Sequence, residues 1–328
     1  MRNAKIIGSG MYVPKKVIPN SYFNKILQED VDTWLRENVQ IYERRWCADD
    51  ESTADLCVNA AKEILKNTKV KVEDLDLIII STDTPEYISP STASVVQDRL
   101  GAVNAGTFDL NSACSGFVTA LDVAAKYIQA DENYKYILVL GAYAMSKHLN
   151  KTDKKTVTLF ADGASGVILK SDESGAGMLA SQLKTKGEYN SWMGIYGGGT
   201  FCPTTEASFK NGDHQLKFVK KFPKELNSVI WSDMIIDLCK RINLTPHKID
   251  HYFITQININ SIKETLDILG VGMDKTTTIM HNYGYTGSAC IPMAYHEAIR
   301  KNKIKEGDTV LFIGSGGGLA FAGTIFKL

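Results

Sequence analysis

The stretch Thr107-Phe108-Asp109-Leu110-Asn111-Ser112-Ala113-Cys114-Ser115-Gly116-Phe117-Val118 passes from a strand pattern into a helix pattern. Its first four residues have the apolar, β-rich character of a buried strand, and a helical periodicity runs over Cys114–Ile128. A cysteine therefore stands at the start of a helix, where the positive end of the helix dipole favours the nucleophilic thiolate. Its small neighbours Ser112, Ala113, Ser115 and Gly116 leave room for a substrate to approach. A buried structural cysteine is the alternative reading of Cys114. Cys47, Cys57, Cys202, Cys239 and Cys290 are read as structural.

Outward from this stretch the pattern repeats. Strands are expected at Lys5–Ile7, Leu77–Ser81, Thr107–Leu110, Tyr136–Gly141, Val157–Phe160, His251–Thr255, Thr277–Met280, Val310–Gly314 and Phe321–Phe326. These short apolar runs without alternation suit strands covered on both faces. Helices are expected from Ser52 or Thr53 through Leu65, and over Ser91–Leu100, Cys114–Ile128, Pro223–Arg241, Ser261–Leu269 and Gly287–Arg300. Three strands of the first half recur in the second at offsets of 174, 170 and 174 residues, with helices between them. Two βαβαβ units at near-constant offset predict a duplicated α/β architecture with a pseudo-twofold axis. The helix starts near Cys114 and Gly287 are then expected to face one centre. The division expected is an N-terminal half over 1–172 carrying the nucleophile, an irregular connection over 173–221 and a C-terminal half over 222–328.

Composition narrows the function class. The 328 residues are 44% apolar and 23% charged, as in globular proteins, with 37 basic and 37 acidic side chains. A nucleic-acid binder carries a basic surplus, which this chain lacks. No apolar run approaches the roughly 20 residues of a membrane span, and the N-terminus does not read as a secretory signal. Six dispersed cysteines with no CxxC pair argue against a disulfide framework or a zinc site, and for free thiols in the cytoplasm. Gly314-Ser315-Gly316-Gly317-Gly318 lacks the spacing of a dinucleotide loop. It reads as a bare turn, or as a close backbone approach that helps hold an oxyanion.

Asn111-Ser112-Ala113-Cys114-Ser115-Gly116-Phe117, Gly284-Tyr285-Thr286-Gly287-Ser288-Ala289 and the Gly-rich C-terminus together resemble β-ketoacyl-acyl-carrier-protein synthase III, of the thiolase-like condensing superfamily. The resemblance spans essentially the whole chain. It includes Asp32-Thr33-Trp34-Leu35, Ile41-Tyr42-Glu43-Arg44-Arg45 and Phe160-Ala161-Asp162-Gly163-Ala164. It implies a five-layered αβαβα sandwich of two repeated halves, a homodimer, and Cys114 as the nucleophile that takes an acyl group from an acyl-thioester. The implied oxyanion donors are the backbone N–H groups of Cys114 and Gly317. No cofactor is implied; a coenzyme A or acyl-carrier-protein thioester is the substrate.

The chain departs from the family's Cys–His–Asn set. The histidine position falls on Thr255, within Thr255-Gln256-Ile257-Asn258, and the asparagine position on Tyr285. Threonine cannot replace an imidazole near neutral pH, and tyrosine keeps one O–H donor with a different reach. His281, four residues before Tyr285, is the one histidine expected near the centre, as a structural residue or a replacement base. His251 starts its strand too far back, and His148, His214, His247 and His296 read as surface or loop residues. At the coenzyme A entrance the resemblance puts Trp34 in the adenine-stacking position and Lys154 in place of an arginine. Asn38 and Asn260 stand where two more arginines are found. The resemblance also puts Ser89 at the acyl pocket floor, where the family often has a bulky residue, and so implies room for a longer chain. The reaction expected is decarboxylative condensation with malonyl-carrier protein. The alternatives are acyl transfer to an oxygen or amine of a specialised metabolite or sugar, and a non-catalytic partner subunit.

Overall fold

A computed structural model describes residues 2–328. In chain order the first half contains β1 (Asn3–Tyr12), α1 (Thr53–Thr68), β2 (Leu77–Ser81), α2 (Thr92–Leu100), β3 (Gly106–Leu110), α3 (Gly116–Ala130), β4 (Tyr136–Ala144) and β5 (Asp162–Asp172). Its five-stranded main sheet has the order β1-β5-β4-β2-β3, with β2 parallel to β3 and β4 and the β5 pairings antiparallel. The second half contains β6 (Gly177–Thr185), α4 (Leu226–Arg241), β7 (His251–Ile254), α5 (Ile259–Leu269), α6 (Cys290–Arg300), β8 (Thr309–Gly316) and β9 (Ala320–Lys327). Its strands lie in the order β7-β8-β9-β6. The two halves repeat one topology, except that the second sheet lacks a strand equivalent to β3. The helices α3 and α6 fill the space between the two sheets, α1 and α2 cover the outside of the first, and α4 and α5 cover the second. This is the five-layered αβαβα sandwich of a thiolase-like fold.

The continuous apolar run at β2 follows from this layering. Leu77 and Ile79 pack into the core that runs between the sheets, and Ile78 and Ile80 into the core beneath α1 and α2. Both faces are buried, so neither selects polar residues.

Four expectations are corrected. The strand expected over Val157–Phe160 is a helical turn, Lys154–Val157, followed by a single bridge from Phe160 to Tyr285. The strand itself begins at Asp162, where Gly163, Ser165 and Gly166 are buried without adding to any apolar pattern. The strand expected over Thr277–Met280 shrinks to one bridge between Tyr252 and Thr276. There the Gln256 side-chain amide takes the place of a neighbouring strand. Its Nε2 donates to the Thr277 carbonyl at 2.7 Å, and its Oε1 accepts from the Ile279 N–H at 2.7 Å. The connection expected over 173–221 is not irregular throughout, because β6 lies inside it as the edge strand of the second sheet. The joining segment proper is 186–225, with a short antiparallel ladder pairing Met193–Gly194 with Lys217–Phe218. His296 is buried in α6, its Nδ1 3.0 Å from Ser9 Oγ, and is no surface residue.

Candidate active site

Cys114 sits on a 3₁₀ turn, Ala113–Ser115, that leads into α3, and it is 2% exposed. The turn is sharp: Ala113 has φ +47°, in the left-handed region that non-glycine residues rarely occupy, and its N–H donates to Asn111 Oδ1 at 3.0 Å. Two close approaches fix it in place. A Cβ on Gly116 would lie 1.9 Å from Ser81 Oγ, at the end of β2, and a Cβ on Gly316 would lie 2.4 Å from the Cys114 nitrogen. At Gly316, where the clash is with backbone, only glycine fits. The turn also touches its pseudo-symmetric counterpart, Gly287–Ala289, so the two helix starts meet at one centre. Ser288 occupies the position equivalent to Cys114, and its hydroxyl donates to the Ala142 and Ser81 carbonyls at 2.8 and 3.1 Å.

Burial, and next the Asp83 carboxylate, push the Cys114 thiol well above its ordinary pKa, while the Tyr285 hydroxyl, turned toward the sulfur, works in the opposite direction. The helix start therefore does not yield a resting thiolate, contrary to the expectation from the dipole alone: desolvation outweighs it. Tyr285 is buried and held by its backbone, whose N–H donates to Leu159 O and whose carbonyl accepts from Ala161, both at 2.9 Å. Tyr143, at the end of β4, is buried beside it, and its ring lies 2.4 Å from where a Cβ of Gly287 would stand. Asp83 lies two residues beyond β2. Its Oδ1 is buried with no hydrogen-bond partner, its charge bears on both Cys114 and Tyr143, and burial pushes its carboxyl up to about 6. Thr255, by contrast, is tied to the sheet. Its Oγ1 accepts from the Ser315 N–H at 3.1 Å and lies 2.7 Å from where a Cβ of Gly314 would stand.

At the surface a cleft of about 350 Å³ is lined by Trp34, Lys154, Lys155, Phe218, Lys220 and Lys221, among others. Trp34 is 53% exposed, and Lys154 pairs with Glu29 at 2.8 Å. Four lysines on one cleft suit a polyanionic or phosphate-bearing ligand.

Two family models match the chain. One is 3-oxoacyl-[acyl-carrier-protein (ACP)] synthase III, over residues 108–187, and the other is the C-terminal part of the same enzyme, over 239–328. The β-ketoacyl-[acyl-carrier-protein] synthase III of Clostridium perfringens is 36% identical over 335 aligned positions, covering all of both chains. The chain belongs to the β-ketoacyl-[acyl-carrier-protein] synthase III family. The Caldanaerobacter subterraneus synthase III is 34% identical over 99% of this chain and 97% of its own length. Among solved structures, the synthase III of Aquifex aeolicus superposes with a TM-score of 0.89 at 30% identity, covering 99% of this chain and 100% of that one. The chain is thus an acyltransferase of the synthase III type on a thiolase-like fold.

Set against the synthase III pattern, the catalytic positions are rebuilt. Cys114 and Tyr285 come together, whereas Thr255 is spent on the backbone of β8. His281 is engaged elsewhere: its Nδ1 lies 2.9 Å from the Gln40 carbonyl, its Nε2 2.9 Å from Thr278 Oγ1, and its ring packs against Tyr42. Both nitrogens are occupied, which is the structural reading of that histidine. The Gly-rich segment approaches Cys114 most closely at Gly316, with Gly317 next to it facing Ala113 and Met193. Ser89 is exposed in the loop between β2 and α2. Asn38 and Asn260 join each other, Asn260 Nδ2 donating to the Asn38 carbonyl at 3.0 Å. Lys155, Lys220 and Lys221 add positive charge to the cleft of Trp34 and Lys154; sequence reasoning passed over them, as it did Asp83 and Tyr143. For the lysines the signal was the run Lys220-Lys221; for Asp83 it was a charged residue just past the carboxyl end of a parallel strand, where α/β sheets carry their chemistry.

Proposed function

We propose that Cys114 takes an acyl group from a coenzyme A or carrier-protein thioester and passes it to malonyl-carrier protein by decarboxylative condensation. The observation that carries this reading is the buried cysteine on its left-handed turn, with the Gly-rich backbone of β8 pressed against its nitrogen. The backbone N–H groups of Cys114 and Gly317 hold the oxyanion that forms on attack. Trp34, Lys154 and their neighbouring lysines receive the nucleotide or carrier end of the donor. The protein needs no cofactor beyond the thioester itself.

A second reading rests on one specific observation: no imidazole or side-chain amide stands at the positions of Thr255 and Tyr285. Condensation depends on those groups to handle the malonyl carboxylate, whereas transfer to an oxygen or amine acceptor does not. The open edge of β3, where Phe108 and Leu110 are half-buried, supports a homodimer that continues the sheet. Six free thiols support a cytoplasmic setting. Incubation with a panel of acyl-CoAs and malonyl-carrier protein, read by intact mass, tests the proposal. An acyl-enzyme with a β-ketoacyl carrier is the expected result. An acyl-enzyme with the carrier unchanged selects the second reading. No acyl-enzyme with any donor, free or carrier-bound, overturns both and leaves a non-catalytic subunit.

A further inference from the structure

We propose that Asp83 is the proton acceptor for Cys114, a task that neither Thr255 nor His281 is free to perform here. The inference rests on the reading of Cys114 as nucleophile. Asp83 follows β2, Cys114 follows β3 and Tyr143 ends β4, three neighbouring parallel strands whose carboxyl ends open on one point. The Thr82 N–H donates to the Leu110 carbonyl at 3.1 Å, which fixes the chain beside Asp83 to the strand that leads into Cys114. Oδ1 is buried and unpartnered, unlike the other carboxylates of the first half that lie near strand ends. Asp109 accepts from Thr92 and Ala93, and Asp162 accepts from Cys47 and Ser146. A buried carboxylate oxygen without a donor is costly, and one kept at the strand ends that carry the nucleophile has a use. The Asp83 charge bears on the Cys114 thiol and the Tyr143 hydroxyl, neither of which hydrogen-bonds to Oδ1 in the resting structure, and no ion pair among the described residues offsets it.

The step balances. Oδ1 takes the proton from the Cys114 sulfur as the S–C bond forms to the thioester carbonyl, whose π pair moves to oxygen. The tetrahedral adduct collapses, the donor's C–S bond breaks, and the departing thiolate takes the proton back from Asp83. An acyl-cysteine, a free donor thiol and a regenerated carboxylate result. A carboxyl shifted to about 6 is ionised at neutral pH yet basic enough to assist.

The test is the rate of Cys114 alkylation by iodoacetamide against pH, in wild type, Asp83→Asn and Asp83→Glu, with folding checked by thermal melts. A proton acceptor gives a wild-type rate that falls below pH 6, a loss of at least about tenfold and of that pH limb in Asp83→Asn, and recovery of most of the rate in Asp83→Glu. A carboxylate that only raises the thiol pKa gives the opposite sign, Asp83→Asn reacting as fast as wild type or faster, and that result overturns the proposal. Should Asp83→Asn fail to fold, the Asp83→Glu profile decides. A displaced acid limb supports the proposal, and an unmoved one refutes it. Acylation by acyl-CoA is measured in parallel. If wild type shows the Asp83-dependent limb but accepts no acyl group, the proposed function fails while the role of Asp83 stands.

Discussion

Substitution of Gly316 by alanine probes the join between the two halves at its tightest point. The new Cβ would stand 2.4 Å from the Cys114 nitrogen and 2.8 Å from both Ala113 Cβ and the Ser112 carbonyl. All three atoms belong to the turn that carries the nucleophile, and two of them are backbone, so no side-chain rotation relieves the clash. To regain a contact of about 3.4 Å the turn must retreat by about 1 Å, since core positions overfilled by one methyl have no slack. Overpacking of this kind costs about 1–3 kcal/mol. At about 2 °C per kcal/mol for a chain of this size, the melting temperature falls by about 2–6 °C. A misplacement of about 1 Å at a reacting atom costs about a hundredfold in rate, so acylation of Cys114 suffers far more than stability does. Differential scanning calorimetry and stopped-flow acylation by an acyl-CoA measure the two effects on one preparation. Gly199→Ala, where an added Cβ meets nothing within 4 Å, is the control and moves neither. Wild-type melting and wild-type acylation in Gly316→Ala would refute the claim that close backbone approach positions the cysteine.

Tyr285→Phe removes the hydroxyl that lowers the Cys114 pKa. Loss of one such hydrogen bond, about 0.5–1.5 kcal/mol, slows iodoacetamide labelling about two- to tenfold at pH 7.5, and a faster rate contradicts the assignment. Trp34→Ala and Lys154→Ala lie at an exposed rim, so melting stays within about 0.5 kcal/mol of wild type. Steady-state assays should show the KM for an acyl-CoA rising several-fold, while an acyl-pantetheine donor without the nucleotide is unaffected. Burial lowers the pKa of His251 to about 4. Between pH 6.5 and 4 the unfolded chain therefore binds the proton that the folded one refuses, and stability present above pH 6.5 falls by up to about 3 kcal/mol across that window. Chemical denaturation at pH 7 and 4.5 should show this loss reduced in His251→Gln.

The strands that sequence periodicity located are those buried on both faces, β2 above all, where an unbroken Ile run has no other use. Those it missed break the pattern for identifiable reasons. β5 begins with Asp, Gly, Ala and Ser packed where larger side chains do not fit, and β6 is an edge strand with Leu179 and Leu183 exposed. The second half's missing strand was illegible because a side chain, Gln256, supplies the hydrogen bonds a neighbouring strand would have made. At the site, Cys114 was legible from its strand-to-helix setting. Asp83 was not, because on a sequence it is one acidic residue in a loop. The burial of its Oδ1 exists only in the fold, where β2, β3 and β4 bring their carboxyl ends together. The thiol's raised pKa was hidden in the same way, since desolvation is a property of the assembled core rather than of the helix start.

Peptide mapping of the acylated protein tests the central claim most directly. Trypsin releases Leu100–Lys126, in which Cys114 is the one cysteine. After incubation with acyl-CoA or acyl-carrier protein and quenching in acid, that peptide should carry one acyl group, labile to hydroxylamine and absent in Cys114→Ala. An acyl group on any other peptide, or one that survives Cys114→Ala, would contradict it.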